Sequence, residues 1–480
     1  MASTSPQAQH LIDGTWGAAG TRTFDVLDPA TDELVGTVPV AEGPEVRAAL
    51  DAALTARDAW ARTAPAERGA WLAGAAARVR AAADELAELT TREMGKPLGD
   101  ARGGVLAGAG TLAQYAELGP LHRGKALQGG WGASDLMLPQ PRGVVAAIVP
   151  WNDPVAVACG LLGAALVAGN VVVLKPSERS PHTLVRLAQL LAEDLPAGVL
   201  GVVCGDGSTG AELAGADDVD LVAHVGSTRA GRSIAAATAR TGAKALLENG
   251  GKDPLLVDAG VDPRWAAAQA ALGAFANAGQ ICTSVERVYV HADIADAFLA
   301  ALVDRAQSLR LGPGTDPATQ LGPLVDRRAR DDVHRHVEDA VKTGARLLCG
   351  GEVPDGPGAF YPATVLADCT PDMLVMREET FGPVAPVQVV SSFEEGLAAS
   401  AESEYGLAAT VLTADVEHAQ RAWRELPVGT VKVNAVFGGA PGGAAQPRGA
   451  SGAGFGYGPE LLDEMTTTKV VHLGSPGSAS

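Results

Sequence analysis

The residues best able to do chemistry lie in five short stretches. One is Gly279-Gln280-Ile281-Cys282, where a cysteine follows a glycine-containing bend and precedes the strand-like run Arg287 to Val290. A thiol so placed can meet a ligand, and nearby backbone N–H groups can stabilise its thiolate, the nucleophilic form. Taken alone, Cys282 reads more readily as a small buried hydrophobe, as most free cysteines are. A second stretch is Pro150-Trp151-Asn152-Asp153-Pro154. The Asn152 amide could donate to a developing oxyanion, or simply mark a turn. In Lys175-Pro176-Ser177-Glu178 a carboxylate can accept both hydroxyls of an adenosine ribose, and a lysine can hold the same sugar. That carboxylate would repel a 2′-phosphate, which favours NAD over NADP. The alternative is an ordinary acidic residue near a helix start.

Gly226-Ser227-Thr228-Arg229-Ala230-Gly231 follows a strand and opens a helix, so its N–H groups face an anion. It is not the GxGxxG fingerprint, and a helix capped by Ser227 or Thr228 would look the same. In Glu248-Asn249-Gly250-Gly251-Lys252-Asp253-Pro254, Glu248 stands where an apolar strand meets a double glycine. It is either a general base or a carboxylate that ties down loop backbone.

The elements around these stretches alternate. Apolar runs at 143–149, 171–174, 198–203, 221–225 and 243–248 read as buried parallel strands, with helices at 155–168, 182–195 and 233–240. Such units build a parallel sheet covered on both faces, whose ligands bind beyond the carboxyl ends of the strands. A second alternating region begins near Asp253, with strands at 254–258, 287–291, 346–349, 363–366 and 384–390. Its helices fall at 263–279, 294–309, 326–343 and 393–400. Residues 43–118 read as helices whose charges, among them Arg68 and Arg78, form a solvated face. His334 and His336, two apart, read as solvated surface. The strand-like pieces 134–139 and 468–473 suit an exposed hairpin that pairs with each other and with another subunit.

Composition narrows the class. A chain of 480 residues with 47% hydrophobic residues is globular and long enough for several domains. Its net charge of −19 argues against nucleic acid and anionic membrane as partners. Five cysteines without a CxxC pair indicate no disulfide framework and no metal site, and suit a reducing, cytoplasmic setting. Met1 to His10 lacks a basic region followed by an apolar core, and the most apolar region, 143–174, is broken by Pro150 and Pro154.

Together the five stretches resemble the NAD(P)-dependent aldehyde dehydrogenase superfamily, along nearly the whole chain. Glu248 and Cys282 stand 34 residues apart, as is typical of that family, and Glu378-Glu379-Thr380-Phe381-Gly382-Pro383-Val384 is similar to its downstream motif. The resemblance implies an α/β fold. A Rossmann-like cofactor domain would span 1–120 and 142–250, and an α/β catalytic domain 251–440. A small β oligomerisation flap would come from 121–141 and 459–480. It implies Cys282 as nucleophile, Asn152 and the Cys282 N–H as oxyanion donors, and Glu248 as base for the hydrolytic water. It implies NAD held by Trp151, Lys175, Glu178, Gly226, Ser227, Gly231, Glu379 and Phe381. The partners implied are a small aldehyde and a second copy of the chain, as homodimer or homotetramer.

Rival readings within reach are a CoA-acylating semialdehyde dehydrogenase, which generally lacks the glutamate, and an inactive cofactor-binding relative. The chain departs from the family at His224-Val225, where an aromatic and a threonine are usual, and at Asn249, where leucine is usual. It departs again before Ser451-Gly452, where the Gly-Gly-x-Lys-x-Ser-Gly pattern has no lysine. The Glu286-Arg287-Val288-Tyr289-Val290 run looks like that of lactaldehyde-type members. No clear clamp for a semialdehyde carboxylate stands out.

Overall fold

The computed structural model describes residues 7–438 and 443–474. The leader reading of Met1 to His10 therefore falls partly, and the tail 475–480 and part of the Gly/Ala loop wholly, outside the described residues.

The first sheet has eight strands. In spatial order they are Thr15–Gly17, His10–Ile12, Leu200–Val202, Val171–Lys175, Val144–Ile148, Leu221–Val225, Lys244–Glu248 and Gly452–Ala453. The central five are parallel. Val144–Ile148 and Val171–Lys175 are almost wholly buried, which explains their unbroken apolar sequence. The chain starts at 144–148, builds outward to 200–202, then crosses back to 221–225. The strand order thus reverses between 144–148 and 221–225, where ligands of such sheets bind.

The second sheet has seven strands: Arg346–Cys349, Thr364–Ala367, Val384–Val390, Val285–His291, Asp253–Val257, Ala408–Leu412 and Thr430–Val433. All pair in parallel except the first, which is antiparallel to its neighbour. Each sheet has its own hydrophobic core. A third, antiparallel sheet joins Thr466–Leu473, Ser134–Pro141 and Lys125–Leu127, with Lys469 opposite Leu138. Val470, Leu473 and Trp131 stand exposed on it, so the pairing expected for the flap forms within one chain and leaves an apolar edge open.

Three expectations need correction. His336 is buried, its Nδ1 lying 3.2 Å from the Thr380 hydroxyl, because Val333, His336, Val337 and Ala340 share the inner face of the helix Arg327–Lys342. Arg68 is buried too: it donates to the Val167 carbonyl at 2.8 Å and to the Thr63 carbonyl, capping chain ends that water cannot reach. And the sequence reading assigns no element between Ser400 and Gly429. The structure has the buried strand Ala408–Leu412 and the helix Val416–Glu425, whose N-cap Asp415 accepts from the Glu417 and His418 N–H groups.

Candidate active site

The carboxyl edge of the first sheet meets the amino edge of the second, and the five stretches line that seam. The link is direct: strand Lys244–Glu248 passes through Asn249 to Lys252 into strand Asp253–Val257.

Cys282 owes its place to an unusual turn. Helix Pro263–Phe275 ends, and Asn277, Ala278 and Gly279 follow with φ of 49°, 55° and 72°. Asn tolerates the left-handed region, whereas Ala pays about 1–2 kcal/mol for it. Only glycine fits at 279, where a Cβ would collide with the Gly382 carbonyl. The strain is held by hydrogen bonds. Gln280 donates to the Asn277 carbonyl at 3.1 Å and accepts from the Val325 N–H at 2.8 Å; Ser284 donates to the Gly279 carbonyl at 3.1 Å. Asn152 reaches across from the first sheet and donates to the Gln280 carbonyl at 3.0 Å, while Asn277 donates to the Asn152 carbonyl at 3.3 Å. Asn152 is thereby fixed beside the cysteine loop with one N–H still to offer.

Glu248 lines the cleft against Gly456, where a Cβ would collide with its carboxyl. Its carboxyl has no ion-pair partner among the described residues, and burial pushes its pKa up to about 7. Burial, then Glu248, Asp253 and Glu379, push the Cys282 thiol up to about 12. The thiol is thus held neutral, while the carboxyl is poised to ionise near neutral pH. The segment after Glu248 is pinned at Ser451, whose hydroxyl donates to the Gly250 carbonyl at 2.7 Å and whose carbonyl accepts from the Asn249 N–H at 2.9 Å. The Asn249 side chain donates to the Ala450 carbonyl at 3.0 Å, so the polar substitution serves this junction. Counting back from Ser451, the family's lysine would fall at Gly449. That residue has φ 57°, and a Cβ there would meet the Glu404 carbonyl.

The corner around Lys175 and Glu178 is built differently. Lys175, buried, donates to Glu178 at 3.1 Å. Burial alone would raise Glu178, but Lys175, its own backbone N–H and Arg179 together outweigh it and hold the carboxyl below its usual range. Ser227 caps the helix Thr228–Thr241 by accepting from the Ala230 N–H, so of the two candidate caps it is Ser227. Gly231 has the Asn249 amide where a Cβ would go. Trp151 and Phe381 meet edge to face at 5.5 Å, with Arg179 over the Trp151 ring. Glu379 accepts from the Gly251 N–H at 3.1 Å, and burial, with Glu286 adding, pushes it up to about 8. His224 is buried under Gly226, which pushes it down to about 4 and leaves it neutral.

Sequence reasoning missed the group that ties these parts together. Lys252, fully buried, donates to Glu286 at 2.7 Å and to the Thr380 hydroxyl at 3.0 Å. Glu286 also accepts from the Thr380 and Phe381 N–H groups at 2.8 and 2.9 Å, holding Phe381 at φ 51°. One ion pair thus joins the glutamate, cysteine and downstream motifs. Part of the signal was available: Glu286, a carboxylate inside the apolar strand Val285–His291, must find a partner.

The aldehyde dehydrogenase family model matches residues 16–471. The chain belongs to the aldehyde dehydrogenase family. It is similar, at 36% identity over 96% of this chain and 95% of the other, to phenylacetaldehyde dehydrogenase of Pseudomonas fluorescens. It is also similar, at 43% identity, to α-ketoglutarate semialdehyde dehydrogenase of Haloferax volcanii, over 62% of each chain. Among solved structures, Escherichia coli lactaldehyde dehydrogenase superposes with a TM-score of 0.95 at 34% identity, covering 98% of this chain and 99% of that one. As an aldehyde dehydrogenase, the protein is an NAD-dependent oxidoreductase with a Rossmann-like cofactor region, an α/β catalytic region and an oligomerisation sheet. Among the described residues no group of three His, Cys, Asp or Glu could hold a metal ion, and no helix is long and apolar enough to cross a membrane.

Proposed function

We propose that Cys282 is the nucleophile of this aldehyde dehydrogenase, Asn152 its oxyanion donor and Glu248 the base that activates the hydrolytic water. The observation that carries the reading is the convergence at one seam of a cysteine loop, an amide bonded into that loop at 3.0 Å and an unpaired carboxyl. The Cys282 thiol releases its proton to solvent as its sulfur attacks the aldehyde carbon, and the Asn152 amide with the Cys282 N–H stabilises the resulting oxyanion. Bound NAD+ supplies the hydride acceptor that converts the thiohemiacetal into a thioester. Glu248 then takes a proton from water as that water attacks the thioester carbonyl. Cys204 is a poor rival: it is fully buried with its thiol bonded to the Gln9 carbonyl at 3.4 Å, whereas Cys282 is partly exposed.

Lys175 and Glu178 hold the adenosine ribose, and the Glu178 charge favours NAD over NADP. Trp151, Gly226, Ser227 and Gly231 face the pyrophosphate. Glu379 and Phe381 take the nicotinamide ribose and its flank. In this reading residues 1–120 and 142–250 serve the cofactor, 251–440 the catalysis, and 121–141 with 459–480 assembly into a homodimer or homotetramer, in the cytoplasm. Glu248 favours water over CoA as acyl acceptor. The test is NADH formation from NAD and a panel of aldehydes, with and without CoA. CoA-independent turnover that disappears in Cys282→Ala, with NAD binding retained, supports the reading. Turnover that survives this substitution refutes it.

A further inference from the structure

We propose that Lys432 is an anion-binding residue of the aldehyde pocket, so that this enzyme takes short aldehydes carrying a carboxylate at the far end. The inference rests on the reading of Cys282 as nucleophile. Lys432 lies on the edge strand Thr430–Val433, paired across Thr410 with Leu255. Paired residues share a sheet face, so Lys432 is on the face that also carries Asp253, two strands away, or about 10 Å. Its flexible four-carbon stem covers part of that distance, and the Asp253 side chain, on the same face, covers part of the rest. Asp253 in turn adjoins the cysteine: an ideal Cβ on Gly251 would lie 2.8 Å from the Asp253 Oδ1 and 2.8 Å from the Cys282 carbonyl. Lys432 lies within electrostatic range of both Asp253 and Cys282.

The ammonium is poorly served by the protein. It makes no hydrogen bond or ion pair with the described residues; it lies 5.5 Å from the centre of the Phe437 ring. Asp253 does not compensate it, because burial raises that carboxyl well above its usual range, and Asp253 Oδ2 has no hydrogen-bond partner. A half-buried cation whose donors meet none of the described residues, within electrostatic range of the nucleophile, in a chain of net charge −19, is suited to an anionic group on the substrate. The aldehyde carbon must sit on the Cys282 sulfur, so the anion lies at the opposite end of a chain a few carbons long.

The experiment compares succinic semialdehyde with butanal, which has the same number of carbons and no charge, using NAD and wild-type protein, Lys432→Met and Lys432→Arg. Wild type should favour the semialdehyde. The ratio of its kcat/KM to that of butanal should fall about 10- to 150-fold in Lys432→Met, chiefly through KM, the span expected for one charged hydrogen bond. Lys432→Arg should keep most of the ratio. Wild-type turnover of both aldehydes without preference overturns the anion site alone. An equal loss on both aldehydes in Lys432→Met, with a changed pH dependence of Cys282 alkylation by iodoacetamide, overturns it in favour of a lysine that serves the thiol. Oxidation of no aldehyde by a protein that binds NAD defeats the reading of Cys282 and this one together.

Discussion

Glu178 and Glu248 are glutamates at the carboxyl edge of the same sheet, and their company differs. Glu178 lies against a buried ammonium at 3.1 Å and is held charged. Glu248 lies against glycine with no cation beside it among the described residues, and burial pushes it up to about 7. A carboxylate paired before any ligand arrives is suited to binding. An unpaired one, poised near neutral pH, is suited to moving a proton. On the proposed reading the seam separates into a corner that recognises and a corner that reacts, although both use the same residue type.

The sharpest way to break that division is Glu248→Gln. It should lower steady-state turnover by about 10²- to 10⁴-fold, the usual contribution of a general base, and leave a single rapid burst of NADH in stopped-flow. In wild-type protein the deacylation-limited rate should climb with pH to a plateau above about 7, where Glu248 is ionised, and this limb should vanish in the variant. An unchanged steady-state rate would remove Glu248 from the reacting corner.

Next in size is the ion pair that joins the motifs. Lys252→Met strands the Glu286 charge beneath the site and should cost about 3–5 kcal/mol in urea unfolding. A stability loss no greater than that of an ordinary surface substitution would show that the pair positions nothing.

The raised Glu248 also leaves a mark on stability. Its folded pKa, about 7, lies above its ordinary value of 4.5. Its contribution is therefore fully present below 4.5 and is lost as pH rises through about 7, amounting to about 3 kcal/mol. Glu248→Gln should consequently gain stability relative to wild type between pH 5 and pH 8. A difference that does not vary with pH would contradict the unpaired carboxyl.

The smallest expected effect sharpens the binding corner. Glu178→Ala should raise NADP use relative to NAD by roughly ten-fold, read as a ratio of kcat/KM, since a charge near the ribose is worth about 1–2 kcal/mol at such partly exposed sites. No change in the ratio would move the 2′-hydroxyl contact elsewhere.

Much of this was legible in the sequence where chemistry and local backbone coincide. The strand ends before Asn152, Lys175, Gly226 and Glu248 were marked by apolar runs meeting Gly or Pro, and Gly279 announced the bend before Cys282. What was hidden depends on long-range contact. The partner of Lys252 is 34 residues away, and Arg68 caps a helix end 99 residues distant. His336 looked solvated because the helix around it is mostly charged, and only the packing of its inner face reveals the burial. The missing lysine at 449 was visible as a departure, but the close approach of the Glu404 carbonyl to Gly449 was not.

The most direct test of the division is to trap the acyl-enzyme. Glu248→Gln protein is mixed with NAD and an aldehyde that wild type oxidises, quenched in acid during the burst, digested and analysed by mass spectrometry. The expected result is one acyl group on the peptide containing Cys282 and none on that containing Cys204. Acylation at Cys204, or a burst of NADH with no acyl group on Cys282, would contradict the account.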